Sequence, residues 1–436
     1  EHVLLLTMHH IVVDGWSLGI LVREVAAFYE AFVDNQPAPL PELPIQYADF
    51  AVWQRQLLNS EVMLQHLEYW RTQLASAPAD SGIPTDRPRP IVQTNRGAHE
   101  SRILPEPLSE SLKILCRKEG VTLFMLMLAA WQVVLSRYAR QEDILVGTDV
   151  ANRNHIETEG LVGFFVNMLV MRGDLHGDPT FSELLRRTRE MCLEAFAHQD
   201  MPFEKLVEEL QPERNLNRTP FFQIVFGLQN APQGDLILKD LRLSSLPGIA
   251  PAAKYDLNFG VKEMAGGIAC ELNYNADLFD AATIQRILVH YERLLEEIVR
   301  TPDCRLSAIS LLSEDEQRLI SLWNDTKADY PCDKGVDQLF TDQARRTPDA
   351  VALVHSDRKL NYGELNRRAN QVARYLRNAG AGPEVVVGIC IERSVEMIVG
   401  LLGILKAGAA YLPLDPTYPK ERLSFMLEDA RVPILL

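Results

Sequence analysis

Residues 9–15 read HHIVVDG, and they follow an apolar run at residues 3–8 that the pattern predicts to be a buried strand. Because successive strand residues face opposite ways, we expect only one of His9 and His10 to point into a given cleft, with the other packed or hydrogen-bonded behind it. An imidazole can accept or steer a proton near neutral pH. The carboxylate of Asp14 can orient that ring or fix the loop, and Gly15 lets the backbone approach a substrate. The stretch therefore predicts a strand that leads into a proton-handling site.

Two other interpretations fit the same histidine pair. Both rings can be buried in the protein core with their hydrogen bonds formed, which is the more common situation for a random pair of histidines. His and Asp side chains are also metal ligands, although no third ligand stands at a recognisable spacing from residues 9–15. On the residues alone, catalysis ranks slightly below a structural role, and metal binding ranks last.

The bulk composition narrows the class of protein. The chain has 436 residues, which at ~100–200 residues per domain indicates two to four domains. Its net charge of −15 argues against nucleic acid or an anionic membrane as the main partner. The six cysteines follow no disulfide or zinc spacing, so we expect reduced thiols in a cytoplasmic protein. The longest apolar candidate, residues 397–405, is too short to span a bilayer.

Helical and strand patterns divide the chain into two regions with different arrangements of secondary structure. Ser17 is a plausible N-cap of a first helix, a second helical pattern covers residues 47–74, and a proline-rich linker follows at about residues 76–97. Further helices are predicted at residues 112–138, 181–198, 204–210 and 281–300, and strands at residues 144–147, 164–170, 221–228 and 256–261.

After a linker at residues 313–335, strands and helices alternate from residue 336 to residue 436, which predicts a parallel α/β sheet. Asn361 followed by Glu364 is a capping-box pattern at the start of one helix, and Gly408 ends another. The chain opens within a predicted strand and stops on an apolar run, so we expect it to be an excised fragment.

Residues 9–15 resemble the HHxxxDG motif of nonribosomal peptide synthetase condensation domains. Four later stretches resemble further motifs of that family, in the family's order: YADFAVWQR at 47–55, GFFVNM at 163–168, HQDMPFE at 198–204 and RNLNRTP at 214–220. The last motif usually reads RDxSRNP, so Asn215, Asn217 and Thr219 depart from it. The resemblance covers about residues 1–312, and the family's N-terminal motifs are not among them.

The remainder resembles the start of an adenylation domain of the acyl-adenylate-forming superfamily. LNYGEL at residues 360–365 and LKAGAAYLPLD at residues 405–415 match two structural motifs of that superfamily. Its phosphate-binding loop and its amino-acid-selecting residues are not present in residues 336–436. We therefore expect this part to be incomplete and unable to activate an amino acid.

The resemblance implies a fold and a reaction. The fold is chloramphenicol-acetyltransferase-like: two α/β lobes around a tunnel, with a truncated N-lobe at about residues 1–75, a C-lobe at about residues 98–312, and then the start of an adenylate-forming α/β domain. The reaction is amide formation between a carrier-bound peptidyl or aminoacyl donor and an aminoacyl acceptor. Phosphopantetheine is presented by upstream donor and downstream acceptor carrier domains and no cofactor is bound directly. ATP and Mg²⁺ serve only a complete adenylation domain.

The resemblance also assigns roles to residues. His10 is the candidate general base or amine-positioning group, with His9 behind it, and Gly15 is a candidate donor to the oxyanion. Arg153 resembles an arginine near the family's active site and is the expected ion-pair partner of Asp14.

Rival activities are an epimerisation domain, a heterocyclising domain and a non-catalytic docking platform. Residues 16–19 read WSLG and lack the Ser-Trp pair expected for epimerisation, and a heterocyclising motif begins with Asp. The intact His10, Asp14 and Gly15 argue against a non-catalytic platform. The motifs resemble the subtype that accepts an L-configured upstream residue.

Overall fold

The computed structural model describes residues 3, 5–92, 94–211, 218–229, 238, 241 and 252–436. Residues 214–217 of the RNLNRTP stretch lie outside this range. The chain forms two compact units, Glu1–Trp323 and Asn324–Leu436. The division between them falls within the segment 313–335, ahead of the alternating strands and helices predicted from residue 336.

The first unit combines ten α-helices with six strands among its described residues. Its helices are α1 (Gly15–Val33), α2 (Tyr47–Leu57), α3 (Glu61–Gln73), α4 (Glu106–Glu119), α5 (Leu123–Ala139), α6 (Ile156–Glu159), α7 (Phe181–Ala197), α8 (Phe203–Leu210), α9 (Ala281–Arg300) and α10 (Glu314–Trp323). Its strands are β1 (Gly97–Pro105), β2 (Asp143–Val150), β3 (Asn167–Asp174), β4 (Ile224–Leu228), β5 (Leu257–Met264) and β6 (Gly267–Asn275).

These strands form one mixed sheet in the order β1-β6-β5-β4-β2-β3. β4 runs parallel to β2 and β5, and the other neighbours are antiparallel. Helix α5 lies inside the core, because every side chain from Met125 to Leu135 is buried, a pattern typical of a helix packed on all sides. Helix α3 adds Trp70, 1% exposed, to the same core. The sheet and these helices therefore form one hydrophobic core.

The proline-rich segment at residues 76–97 is held against this core. The backbone N–H groups of Asp86 and Arg87 both donate to the carbonyl of Leu278, at 2.9 and 3.2 Å. Arg89 forms a two-pronged ion pair with Asp256, whose side chain is 8% exposed. The segment expected to be a linker is thus fixed along much of its length.

Several predicted elements differ from the observed ones. Helical patterns at residues 47–74 and 112–138 each contain two helices, and the second pair separates at Gly120, whose φ is 64°. The strand predicted at residues 164–170 begins only at Asn167. In the first unit, strands β1 and β6 were not predicted, and α10 lies within the segment 313–335 that was predicted to be a linker.

The prediction of a buried strand at residues 3–8 is wrong for the residues that the structure describes there. Val3, Leu5 and Leu6 are 73%, 83% and 69% exposed, and no described strand pairs with this segment. An extended segment without a neighbour has no partner for its backbone groups and no surface for its side chains. The apolar pattern alone was therefore insufficient to define a strand.

The second unit contains four helices and five strands among its described residues. They are α11 (Val336–Arg346), β7 (Val351–His355), β8 (Arg358–Asn361), α12 (Tyr362–Asn378), β9 (Val386–Ile389), α13 (Val395–Ala407), β10 (Ala410–Pro413), α14 (Lys420–Asp429) and β11 (Ile434–Leu435). β10, β9 and β11 form a parallel sheet, as the alternating pattern predicts. Asn361 caps α12 by accepting a hydrogen bond from the Glu364 N–H at 2.8 Å, and Gly408 ends α13 with a φ of 84°.

No single helix within the described ranges is long and apolar enough to cross a membrane. The one pair that reaches the required length and composition together, α4 with α5, is bent by 105°. The same ranges contain no cluster of three or more His, Cys, Asp or Glu side chains that could hold a metal ion.

Candidate active site

Asp14 is a buried capping residue at the start of helix α1. Its Oδ1 accepts hydrogen bonds from the backbone N–H and the hydroxyl of Ser17, at 2.8 and 2.7 Å. Its Oδ2 accepts from the backbone N–H of Phe165 at 3.0 Å. The N-cap predicted at Ser17 is therefore Asp14 instead, because the Asp14 carboxylate reaches the N–H group three residues on, where a cap is needed.

Arg153 completes this buried cluster. Its guanidinium donates to both oxygens of Asp14, at 3.2 and 3.4 Å, and to the hydroxyl of Ser17 at 2.8 Å. It also donates to the carbonyls of Thr158 and Leu161 in the short loop around α6. The two charged side chains are 2% and 3% exposed, so the structure brings together the pair that the resemblance implied.

The surroundings set the charge states of this pair. Burial by itself raises the pKa of Asp14, but the hydrogen bonds from Ser17 and Phe165 and the charge of Arg153 together hold that pKa below its usual value. Burial lowers the pKa of Arg153, and Asp14 opposes that effect. Both groups are therefore charged near neutral pH, as a buried pair with satisfied hydrogen bonds requires.

The segment that leads into β3 is attached to the same cluster. The N–H of Gly163 donates to the Ser17 hydroxyl at 3.1 Å, and the Tyr47 hydroxyl donates to the carbonyl of Phe164 at 2.8 Å. A Cβ at Gly163 would lie 2.2 Å from the Tyr47 ring, so only glycine permits this close approach. The HHIVVDG, YADFAVWQR and GFFVNM stretches thus meet at one place.

His9 and His10 do not alternate along a strand. His10 opens a short 3₁₀ helix, His10–Val12, and both histidines are exposed. The Nδ1 of His9 accepts a hydrogen bond from the Ile11 N–H at 3.1 Å, which caps that turn. The ring of His10 packs edge-to-face against Phe164, with ring centres 5.2 Å apart and an angle of 86°. Of the two roles expected for the second histidine, packing or hydrogen bonding, His9 has the hydrogen bond, although not from a strand.

Gly15 is exposed at the first position of helix α1. Apart from its chain neighbours and the backbone of its own helix, no described atom lies within 4 Å of the position that a Cβ would occupy there. The first N–H groups of a helix have no partner inside the helix, and no described residue accepts a hydrogen bond from the Gly15 N–H.

Asn167 is a structural residue that sequence reasoning did not single out. Its amide donates to the carbonyls of Gln199 and Met201, at 2.8 and 2.7 Å, and its oxygen accepts from the N–H of Phe203 at 3.0 Å. It therefore ties the GFFVNM stretch to HQDMPFE. The available signal was an amide side chain at the start of an apolar strand, where it must be satisfied if buried.

A cleft of about 340 Å³ lies beside this cluster. Phe164 lines it, together with polar side chains from α2, the loop before Arg153 and α8. Its lining residues are Tyr47, Gln54, Leu58, Asn152, Phe164, Phe165, Val166, Asn167, Pro202, Glu204, Lys205 and Glu208. Phe164, whose ring contacts His10, is therefore also a residue of the cleft wall.

Comparison with known proteins identifies families that the chain matches. Residues 1–321 match the condensation domain family, and residues 340–436 match the AMP-binding enzyme family. The chain is 49% identical to a linear gramicidin synthase of Brevibacillus parabrevis and 45% identical to chondramide synthase of Chondromyces crocatus, over its whole length. It spans only 9% and 11% of those two relatives.

A solved structure shows the same fold. The four-domain nonribosomal peptide synthetase holo-AB3403, bound to AMP and glycine, superposes with a TM-score of 0.80 at 27% identity, over 98% of this chain and 33% of that one. The two-part α/β fold implied by the sequence resemblance is thus confirmed. The chain belongs to the condensation-domain family of nonribosomal peptide synthetases and continues into an AMP-binding domain.

Proposed function

We propose that the condensation part joins two carrier-bound substrates by an amide bond. The acceptor amine attacks the donor thioester carbonyl, a C–N bond forms, and the C–S bond breaks. The amine loses one proton. The departing thiolate takes up one proton and leaves as the thiol of the donor's phosphopantetheine arm. The observation that carries this proposal is the exposed His10 beside a cleft, on a loop fixed by the buried Asp14–Arg153 pair.

His10 is the residue proposed to meet the amine. No described residue forms a hydrogen bond with its ring, so its nitrogens remain open to a substrate. The Nδ1 of His9 is already an acceptor for the Ile11 N–H, which makes His9 the supporting residue of the turn. His10 either accepts the amine's proton or holds the amine in line with the carbonyl.

Gly15 is proposed to stabilise the tetrahedral intermediate. Its N–H stands at the N-terminus of a 19-residue helix, where the helix dipole favours negative charge. Asp14 and Arg153 are proposed to hold this N–H and His10 on one rigid loop, without taking part in proton transfer themselves.

The proposed partners follow from the family. Upstream donor and downstream acceptor carrier domains present the substrates on phosphopantetheine arms. The proposed division is a condensation domain at residues 1–312, a linker at 313–335 and an adenylation portion at 336–436. ATP and Mg²⁺ belong to a complete adenylation domain, because residues 336–436 contain no phosphate-binding loop motif.

The test uses the complete module that contains this chain, with both carriers loaded. His10→Ala is expected to slow joining by ~10²–10⁴-fold, while the adenylation domain still loads its own carrier. Intact-protein mass spectrometry of both carriers measures the two steps separately. His9→Ala is the matched control, one residue away, and is expected to retain most of the joining rate. Joining at the wild-type rate by a folded His10→Ala module would overturn the assignment.

The variant His10→Gln separates the two roles of His10. If His10 accepts the proton of the amine, His10→Gln should be as slow as His10→Ala, because a glutamine amide is not a base. If His10 only positions the amine, a polar side chain of similar shape should do so in part. His10→Gln should then join the substrates faster than His10→Ala.

A further inference from the structure

The orientation of the His10 ring is not set by hydrogen bonds from the part of the chain that the structure describes. A catalytic histidine often has its second nitrogen held by a carboxylate or a carbonyl, which fixes the ring. The nearby carboxylate, Asp14, is instead fully engaged by Ser17, Phe165 and Arg153. Another contact must therefore orient the ring.

Phe164 supplies that contact. Its ring meets the His10 ring edge-to-face at 5.2 Å and 86°, an arrangement that aromatic pairs prefer. Phe164 is half-buried and is one of the residues that line the cleft of about 340 Å³. The contact therefore joins His10 to a residue of the cleft wall.

The backbone of Phe164 is held from both sides and at its own carbonyl. Gly163 is bound to Ser17, Phe165 is bound to Asp14, and the Phe164 carbonyl accepts from Tyr47. Asp14 and Ser17 belong to the same loop and helix start that follow His10. The two rings are thus carried by segments that are bonded to each other.

We propose that Phe164 is a positioning residue that sets the ring orientation of His10 for amide formation. The proposal rests on the proposed function of His10. A misplaced reacting group loses rate even when it is chemically intact. Removing the Phe164 ring is therefore expected to slow joining by ~10-fold to 100-fold and to leave the acceptor KM nearly unchanged.

A double-mutant cycle tests this proposal in the complete module with both carriers loaded. Phe164→Leu should slow joining in the wild-type background and should have no further effect in the His10→Ala background. Phe164→Tyr keeps the ring and should restore the rate to within about twofold of wild type. Equal losses from Phe164→Leu in both backgrounds would show that the ring acts independently of His10 and would overturn the proposal.

Phe124→Leu is the matched control. Phe124 is also half-buried and contacts two aromatic rings, Phe196 and Phe226, far along the chain from the motif. Its substitution should leave the joining rate unchanged once the protein is folded. If Phe164→Leu fails to fold, Phe164→Met fills a similar volume without a ring and takes its place in the cycle.

A spectroscopic readout separates this proposal from the proposed function. In the 436-residue chain with ¹³C-labelled histidine, the ring current of Phe164 should shift the His10 signals, and Phe164→Leu should abolish that shift. Unchanged His10 signals would overturn the positioning role. A lost shift together with full activity of His10→Ala would keep the contact but refute both the proposed role of His10 and the positioning role that depends on it.

Discussion

His10 and Asp14 belong to one short motif, yet they lie in opposite environments. Asp14 is 3% exposed and accepts hydrogen bonds from Ser17, Phe165 and Arg153. His10 is exposed, and among the described residues its ring has one aromatic contact, with Phe164. The motif thus contains a rigid buried half and an accessible half.

This difference separates stability from chemistry. Substituting one member of a buried ion pair lowers the stability of the fold, because the remaining charge is left unpaired. Removing an exposed imidazole changes the free energy of unfolding little. It nevertheless abolishes or slows any reaction in which that imidazole takes part. Substitutions at the two positions should therefore affect different measurements.

The largest effect on stability is expected at the buried pair. Asp14→Ala and Arg153→Ala should each lower the free energy of unfolding of the first unit by ~3–5 kcal/mol, because each leaves one buried charge without its partner. Urea denaturation followed by circular dichroism measures the change. The double variant should lose clearly less than the sum of the two single losses. Strictly additive losses would show that the two side chains are not coupled.

A smaller effect is expected at Asn167, which is buried but uncharged. Asn167→Ala leaves the carbonyls of Gln199 and Met201 and the N–H of Phe203 without this partner, which should cost ~1–3 kcal/mol. The same denaturation experiment measures the loss. Asn154→Ala is the control, because Asn154 is an exposed amide that donates to Asp200. A loss at Asn154 equal to that at Asn167 would contradict the distinction between buried and exposed amides.

Acid should weaken the buried half of the motif gradually. The pKa of folded Asp14 lies below its unfolded value, so its stabilising contribution is complete above the unfolded pKa of ~3.9 and is lost as the pH falls through the folded pKa. The free energy of unfolding of the wild type should therefore fall more steeply below pH ~4 than that of Asp14→Asn, which has no proton to bind there. Parallel curves for the two proteins would contradict a lowered pKa at Asp14.

The smallest effect on stability is expected at the exposed histidines. His10→Ala should change the free energy of unfolding by less than ~0.5 kcal/mol, because no described residue hydrogen-bonds its ring. His9→Ala should cost slightly more, since it removes the acceptor that caps the turn at Ile11. Thermal melts of both variants measure this. A destabilisation by His10→Ala as large as that by Asp14→Ala would remove the contrast between the two halves.

Local signals in the sequence predicted local structure. Asn361 and Gly408 were predicted as helix ends, and both act within one turn of the residues they satisfy. The second half of the predicted capping box at Asn361 is replaced, because the carboxylate of Glu364 binds Arg367 and Arg368. A charged side chain near the start of a helix has several possible hydrogen-bond partners within reach. The sequence does not show which of them it will bind.

The candidate site depends on contacts that no local pattern contains. Arg153 lies 139 positions after Asp14, so only the family resemblance could suggest their pairing. The incorrect prediction of a strand at residues 3–8 has a different cause. An apolar run reports hydrophobicity, but a strand also requires a neighbour, and none of the described strands lies beside it. The contact between His10 and Phe164 had no signal in the sequence.

The fixed segment at residues 76–97 has a consequence for amide hydrogen exchange. Among its described residues it contains no helix and, before Gly97, no strand, and amides in a segment of that kind commonly exchange quickly with solvent. The amides of Asp86 and Arg87 are nevertheless bonded to Leu278, which precedes helix α9 in the main core. Their exchange requires these hydrogen bonds to break, so they should exchange more slowly than amides of a loop without such bonds. An irregular stretch can thus be protected from exchange by its hydrogen bonds to a residue of the core.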